Sequence, residues 1–195
     1  MEVNIREIKG NWDLGYSLDK HTLSSTPIGY NEQGHMQFDT VRPAAGEALF
    51  QLKYRSDFTQ AAIIANQMHT SFSPYFNSAG LVIPMPPSKQ RPRQPVIEIA
   101  RELARLMNRP CYENLLVKIA VTPAMKDIAS REEKVNTLIN AFTVTDQLLD
   151  GLYNVLVVDD LYDTGSSLEA ATQVLRGYNK IQHIYVATVT RKSNA

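Results

Sequence analysis

The chain has 195 residues, enough for one domain with a real core or one domain with a small appendage, but a tight fit for two. Its 20 lysines and arginines balance its 20 aspartates and glutamates, so no global field draws it to nucleic acid or an anionic membrane, and any charge-driven site must be local. The single cysteine, Cys111, excludes an internal disulfide framework and a zinc site of several thiolates, and makes a reducing, cytoplasmic compartment the expectation.

The N-terminus, Met1-Glu2-Val3-Asn4-Ile5-Arg6, lacks the basic-then-apolar pattern of a signal peptide, and no apolar run approaches the roughly 20 residues that span a bilayer. The chain therefore reads as soluble and unprocessed, with no membrane partner. Residues 1–43 mix Gly10, Gly15, Gly29 and Gly34 with scattered aromatics and the alternation Met36, Phe38, Thr40, which predicts short strands and turns. They form an N-terminal element set against a core of 44–195. After Pro43 the pattern turns helical: Ala44 to Lys53 is alanine-rich, and from Asp57 the apolar positions Ala61, Ile64, Ala65, Met68 and Phe72 recur at helical spacing.

At Gly80 the rhythm changes. Leu81-Val82-Ile83 is a short continuous apolar run stopped by Pro84-Met85-Pro86-Pro87, as in a buried strand feeding a loop. A helix follows, with Pro95 in its first turn and Val96, Ile99, Leu103 and Leu106 on one stripe, ending near Asn108-Arg109-Pro110. Then come a strand over 114–119, a polar stretch from Ala120 to Ser130, and a short helix from Arg131 to about Ile139. The last third reads as a strand at Val155–Val158, a helix from Ser166 to Arg176 with Leu168, Ala171 and Leu175 inward, and a strand at Ile184–Ala187. Continuous apolar strands alternating with amphipathic helices predict an α/β fold, with a mainly parallel central sheet and helices on both faces.

One segment carries chemistry. Val155-Leu156-Val157-Val158-Asp159-Asp160-Leu161-Tyr162-Asp163-Thr164-Gly165-Ser166-Ser167 puts two carboxylates at the carboxyl end of a buried strand, where open α/β sheets bind ligands. The hydroxyls of Thr164, Ser166 and Ser167, the close approach allowed by Gly165 and the amides of a helix start make a cradle for a phosphate monoester. Two adjacent carboxylates are poor phosphate ligands but good acceptors for a sugar diol, and a phosphorylated ribose satisfies both halves. There is no G-x-G-x-x-G after a strand and no G-x-x-x-x-G-K-[ST].

The segment resembles the 5-phosphoribosyl-1-pyrophosphate (PRPP) motif of type I phosphoribosyltransferases. The resemblance implies that fold, with a small N-terminal hood-like element, and it implies that Asp159 and Asp160 hold the ribose hydroxyls and Asp163, Thr164, Gly165, Ser166 and Ser167 the 5-phosphate. The form Asp160-Leu161-Tyr162-Asp163-Thr164-Gly165 is similar to that of 6-oxopurine phosphoribosyltransferases, where the acid at Asp163 is a candidate proton acceptor. The other reading of Asp163 is a residue that merely favours its own helix N-terminus.

Over Lys53 to Arg191 the order of pieces is similar to the ComF-type branch. The matching landmarks are Leu52-Lys53-Tyr54, Val82-Ile83-Pro84-Met85-Pro86, Ile99-Ala100, Asn140-Ala141-Phe142 and Thr190-Arg191. The branch's Arg-Gly-Phe-Asn-Gln run is replaced by Arg91-Pro92-Arg93-Gln94-Pro95, and its cysteine-rich element is missing. By the same resemblance, Met85, Pro86, Pro87, Ser88 and Arg91 are the pyrophosphate candidates, ahead of Lys89 and Arg93. Lys126 and Lys134 are the candidates in a hood loop that closes over the ribosyl group.

The implied activity is transfer of a phosphoribosyl group from PRPP, bound with Mg2+, to a nitrogen nucleophile, with release of pyrophosphate. The alternatives are a nucleotide sensor without turnover and an accessory role in DNA uptake. Nucleic acid is not an expected direct partner, no protein-held metal is expected, and assembly, a homodimer included, is left open.

Overall fold

The computed structural model describes residues 1–120 and 130–192. Its centre is a five-stranded sheet in the order β1-β2-β9-β8-β5. β1 is Arg6–Glu7, β2 Leu14–Lys20, β5 Leu81–Pro84, β8 Tyr153–Tyr162 and β9 Ile181–Arg191. β2, β9, β8 and β5 run parallel, and only the two-residue edge strand β1 is antiparallel.

The continuous apolar runs explain why both faces are covered. Along β8, Leu156 and Val158 face one way and Val155 and Val157 the other, as the two-residue period of a strand requires. The first face packs with Ala187 and Val189 of β9 against α1 (Ala44–Tyr54), α2 (Thr59–Phe76) and α3 (Pro95–Met107), through Leu49, Ile64, Met68, Ile99 and Leu103. The second packs with Ile184 and Val186 against Leu168, Ala171 and Leu175 of α5, Ser166–Arg176. Two stacked apolar layers on one sheet match the α/β architecture expected from the sequence. No helix of the described residues is long and apolar enough to cross a membrane.

Residues 1–43 contribute both to the central sheet and to a separate hairpin. β2 enters the central sheet beside β9, with Leu18 fully buried. Trp12 is also buried: its Nε1 donates to the Ile8 carbonyl at 2.9 Å, and its ring meets Tyr162 edge-on at 6.1 Å. Tyr16 stacks on Tyr75 of α2 at 4.1 Å. These aromatics are packing residues of the core. What stands apart is a narrower piece, the antiparallel hairpin of β3 (Ser24–Tyr30) and β4 (Met36–Val41).

The strand expected over 114–119 shortens to β6, Leu116–Lys118, and stays out of the central sheet. It pairs antiparallel with β7, Phe142–Val144, in a two-stranded sheet beside α4, Arg131–Ile139. α4 begins where Ser130 accepts a side-chain cap from the Glu133 amide at 3.1 Å.

Candidate functional site

The site arises from a mismatch in strand length. β5 stops opposite Val158, in the register Pro84↔Val158, and the Met85 amide donates one more bond to the Val158 carbonyl at 2.8 Å. Pro86 and Pro87 have no N–H, so the ladder ends there and the loop turns away. β8 runs on, paired only to β9 as far as Tyr162↔Arg191. Asp159 and Asp160 thus project where one neighbouring strand has ended, at the carboxyl edge of a parallel sheet.

That edge opens into a cleft of about 390 Å³. Met85, Pro86, Pro87, Ser88, Lys89 and Arg91 line one side, and Asp159, Asp160 and Ser167 the other. Lys53 and Tyr54, from the end of α1, and Lys118, from β6, complete its polar rim.

The carboxylates sit in unequal surroundings. Asp160 Oδ2 accepts from Lys53 Nζ at 2.5 Å, with 17% and 20% of the two side chains exposed. Asp159 is half-buried, and its Oδ1 accepts from the Asp160 amide at 2.8 Å. Burial first, and then the charge of Asp160, pushes the Asp159 carboxyl up to about 8. Asp159 thus keeps its proton well above the usual carboxylate range, while Asp160 faces the ammonium group of Lys53. Behind it, the Asp160 carbonyl accepts from Thr190 Oγ1 at 3.1 Å, which lies 3.0 Å from His21 Nδ1. Burial and then Lys53 lower the pKa of that imidazole.

No protein-family model matches the chain. Among curated proteins it is similar to the competence protein ComFC of Bacillus subtilis (strain 168), 26% identical over 152 residues. That alignment covers 74% of this chain and 59% of the relative, so the chain spans about three fifths of the length of the curated protein it matches. Among solved structures, the Helicobacter pylori xanthine-guanine-hypoxanthine phosphoribosyltransferase aligns over 71% of this chain and 78% of its own, with 15% identity and a TM-score of 0.48. The adenine phosphoribosyl transferase of Trypanosoma brucei, in complex with AMP, pyrophosphate and ribose-5-phosphate, aligns over 98% of this chain and 76% of its own, with 11% identity and a TM-score of 0.52. The chain has the type I phosphoribosyltransferase fold. A ComF relative by sequence and this fold by structure agree with the family resemblance of Val155–Ser167. The purine-type Asp163-Thr164-Gly165 form is no part of that agreement.

Within the phosphoribosyltransferase fold, the residues singled out from sequence separate into two groups. Asp159, Asp160, Ser167, Met85, Pro86, Pro87, Ser88 and Arg91 meet in the cleft. Asp163 does not line it: the side chain is exposed and accepts from Lys192 Nζ at 2.6 Å. Thr164 and Ser166 bond to each other, Oγ1 to Oγ, at 2.8 Å. Gly165 has φ +79°, and a Cβ there would lie 2.8 Å from Tyr162 Cε2 and 3.0 Å from Arg131 Nη2, so glycine alone fits this turn. Gly165, at the N-cap of α5, has no side chain to cap it, and the Ser166 amide donates instead to Thr164 Oγ1 at 3.4 Å. Lys134, half-buried on α4, is not among the cleft residues, and Lys126 lies outside the described residues. Arg93 pairs with Glu98 at 2.9 Å and lies over the Phe58 ring at 3.8 Å, away from the cleft.

Among the described residues, no three His, Cys, Asp or Glu side chains are grouped to hold a metal ion. The carboxylates among the cleft residues are Asp159 and Asp160, so the donor set suits a hard cation whose remaining oxygens come with its ligand.

Sequence reasoning assigned no role to Lys53 or Lys118. The signal for Lys53 was present in Leu52-Lys53-Tyr54, but a cation in the last turn of a helix also suits the helix dipole and does not declare a partner 107 residues away.

Proposed function

We propose that the cleft binds PRPP and that the protein transfers its phosphoribosyl group to a nitrogen nucleophile, releasing pyrophosphate. The observation that carries this reading is the meeting of the Asp159–Asp160 pair with the Met85–Ser88 loop in a cleft that also holds Lys53, Lys89, Arg91 and Lys118. Four basic residues against two acids suit a polyanion, and the two acids at one strand end suit a diol.

In this reading Asp160, facing Lys53, accepts one ribose hydroxyl, while Asp159, whose proton is held up to about 8, is able to donate as well as accept. Ser167 and the backbone of the Asp163–Ser166 turn receive the 5-phosphate. Ser88 and Arg91 hold the pyrophosphate. The bond from the anomeric carbon to the pyrophosphate oxygen breaks, a carbon–nitrogen bond forms, and the proton of the nitrogen passes to the departing pyrophosphate or to solvent. Magnesium bound with the ligand would supply further charge neutralisation at the pyrophosphate. The chain's own contribution is orientation and a positive field where the leaving charge develops.

The test is pyrophosphate release from PRPP and Mg2+ against a panel of purines, pyrimidines, amines and ammonia. Release is expected with at least one acceptor, and Asp159→Asn with Asp160→Asn is expected to weaken PRPP binding about 100-fold, as the loss of two hydroxyl bonds, one of them charge-assisted, implies. Unchanged affinity in that variant would remove the site assignment.

A second reading, ligand binding without turnover, is favoured by one observation. Asp163, the proton acceptor suggested by the purine-type form, is held by Lys192 outside the cleft. Calorimetric binding of PRPP or a nucleoside monophosphate, with no transferred product from any acceptor, would select it.

A further inference from the structure

We infer that Lys53 is a cation shared between the two halves of the cleft: it neutralises Asp160 before ligand binds, and passes to the pyrophosphate once a ribose hydroxyl takes its place on Asp160. The inference rests on the reading of the cleft as a PRPP site.

Three features of the structure support it. The Lys53–Asp160 contact, at 2.5 Å, joins the end of α1 to the strand end that would receive the diol, and both side chains are mostly buried. A carboxylate so placed needs a counter-ion, and Lys53 is the cation in contact with it. Secondly, Lys53 is also tied to the opposite wall, because its backbone carbonyl accepts from Arg91 Nη1 at 3.2 Å. Thirdly, both residues line the cleft with Ser88 and Lys89, on the side assigned to pyrophosphate.

Charge and geometry then favour an exchange. A carboxylate accepting a hydroxyl hydrogen bond keeps part of its stabilisation when its cation leaves. A pyrophosphate carries several negative charges against the single charge of Asp160, so it competes for the ammonium group. Lysine suits the role because a compact charge on a flexible four-carbon stem changes partner without moving its helix. The consequence is coupling: filling the ribose half frees Lys53 for the pyrophosphate half, and the reverse holds by linkage. Lys53 is thus a positioning residue for the carboxylate and a binding residue for the leaving group.

The test measures ribose 5-phosphate and pyrophosphate separately and together by calorimetry, with Mg2+ constant. In the natural protein each ligand is expected to raise the affinity for the other about fivefold or more. Lys53→Met is expected to abolish that coupling while each ligand still binds, and Lys53→Arg to restore part of it. Asp160→Asn frees the lysine in advance, so pyrophosphate alone should bind at least as tightly as to the natural protein, and this holds even if Lys53→Met fails to fold. Independent binding of the two ligands to the natural protein, coupling that survives Lys53→Met, or weakened pyrophosphate binding in Asp160→Asn would overturn the inference and leave the PRPP site standing. Failure of both ligands to bind the natural protein would remove the site itself.

Discussion

β8 and the β3–β4 hairpin are both strand-forming sequences, yet they have opposite fates. Val155, Leu156, Val157 and Val158 are at most 1% exposed, with a parallel neighbour on each side and helices above and below. In the hairpin every strand residue except Thr40 is exposed, including Ile28, Tyr30 and Phe38. The hairpin has its hydrogen bonds but no second layer, and two strands alone are marginal in water. β8 has both, so its end is rigid where β5 stops. Backbone pairing makes a strand, and burial on both faces makes one that holds carboxylates in fixed positions.

Four substitutions test the contrast. The largest effect is expected from Leu156→Ala, which empties a fully packed position between β8 and the α1–α3 layer and should cost about 2–5 kcal/mol in urea denaturation. A loss below about 1 kcal/mol would mean that β8 is no better packed than the hairpin. Gly165→Ala should cost about 2 kcal/mol, because φ +79° is unfavourable for alanine and the added Cβ meets the buried Tyr162 ring, whose hydroxyl is held by the Lys9 carbonyl. Ordinary stability would mean that the turn at the strand end is as pliable as the hairpin tip.

Third comes a pH effect at Asp159. Its proton is held up to about 8 in the folded protein and leaves near pH 4 in the unfolded chain, so the protonated carboxyl favours folding. That contribution is full below about pH 4 and is lost as pH rises through about 8. Asp159→Asn carries no such proton, so its stability relative to the natural protein should climb by about 1 kcal/mol or more across that window, read as Tm against pH. Parallel pH profiles would show that the strand end is as well solvated as the hairpin. The smallest effect is expected from Phe38→Ser, whose ring is 55% exposed and which should change stability by less than about 0.5 kcal/mol. A larger loss would show that the hairpin is covered after all.

Much of this was legible in the chain itself. The stripe Ala61, Ile64, Ala65, Met68 and Phe72 became the buried face of α2, and the helix expected from Ser166 to Arg176 forms over those residues. Pro84-Met85-Pro86-Pro87 did end a strand, for the reason proline always gives. β2 was harder to see, because Leu14-Gly15-Tyr16-Ser17-Leu18-Asp19-Lys20 has the alternation of an ordinary exposed strand and its partner, β9, lies about 170 residues on. Asp163 stood beside Thr164 in the motif, but which way its carboxylate turned depended on Lys192, beyond the last strand.

The segment Val155–Ser167 therefore determined, by itself, a buried strand, two acids at its end, and a glycine turn into a helix. Each of these depends on neighbours within a few residues: a side-chain period, adjacent acids at the end of the apolar run, a backbone angle only glycine accepts readily. Tertiary structure alone decided that β8 outruns β5, that Lys53 of α1 reaches Asp160, and that Asp163 turns to Lys192 and away from the cleft. Those outcomes depend on how layers stack and which distant charges then fall within a few ångströms, and no local pattern of residues encodes that.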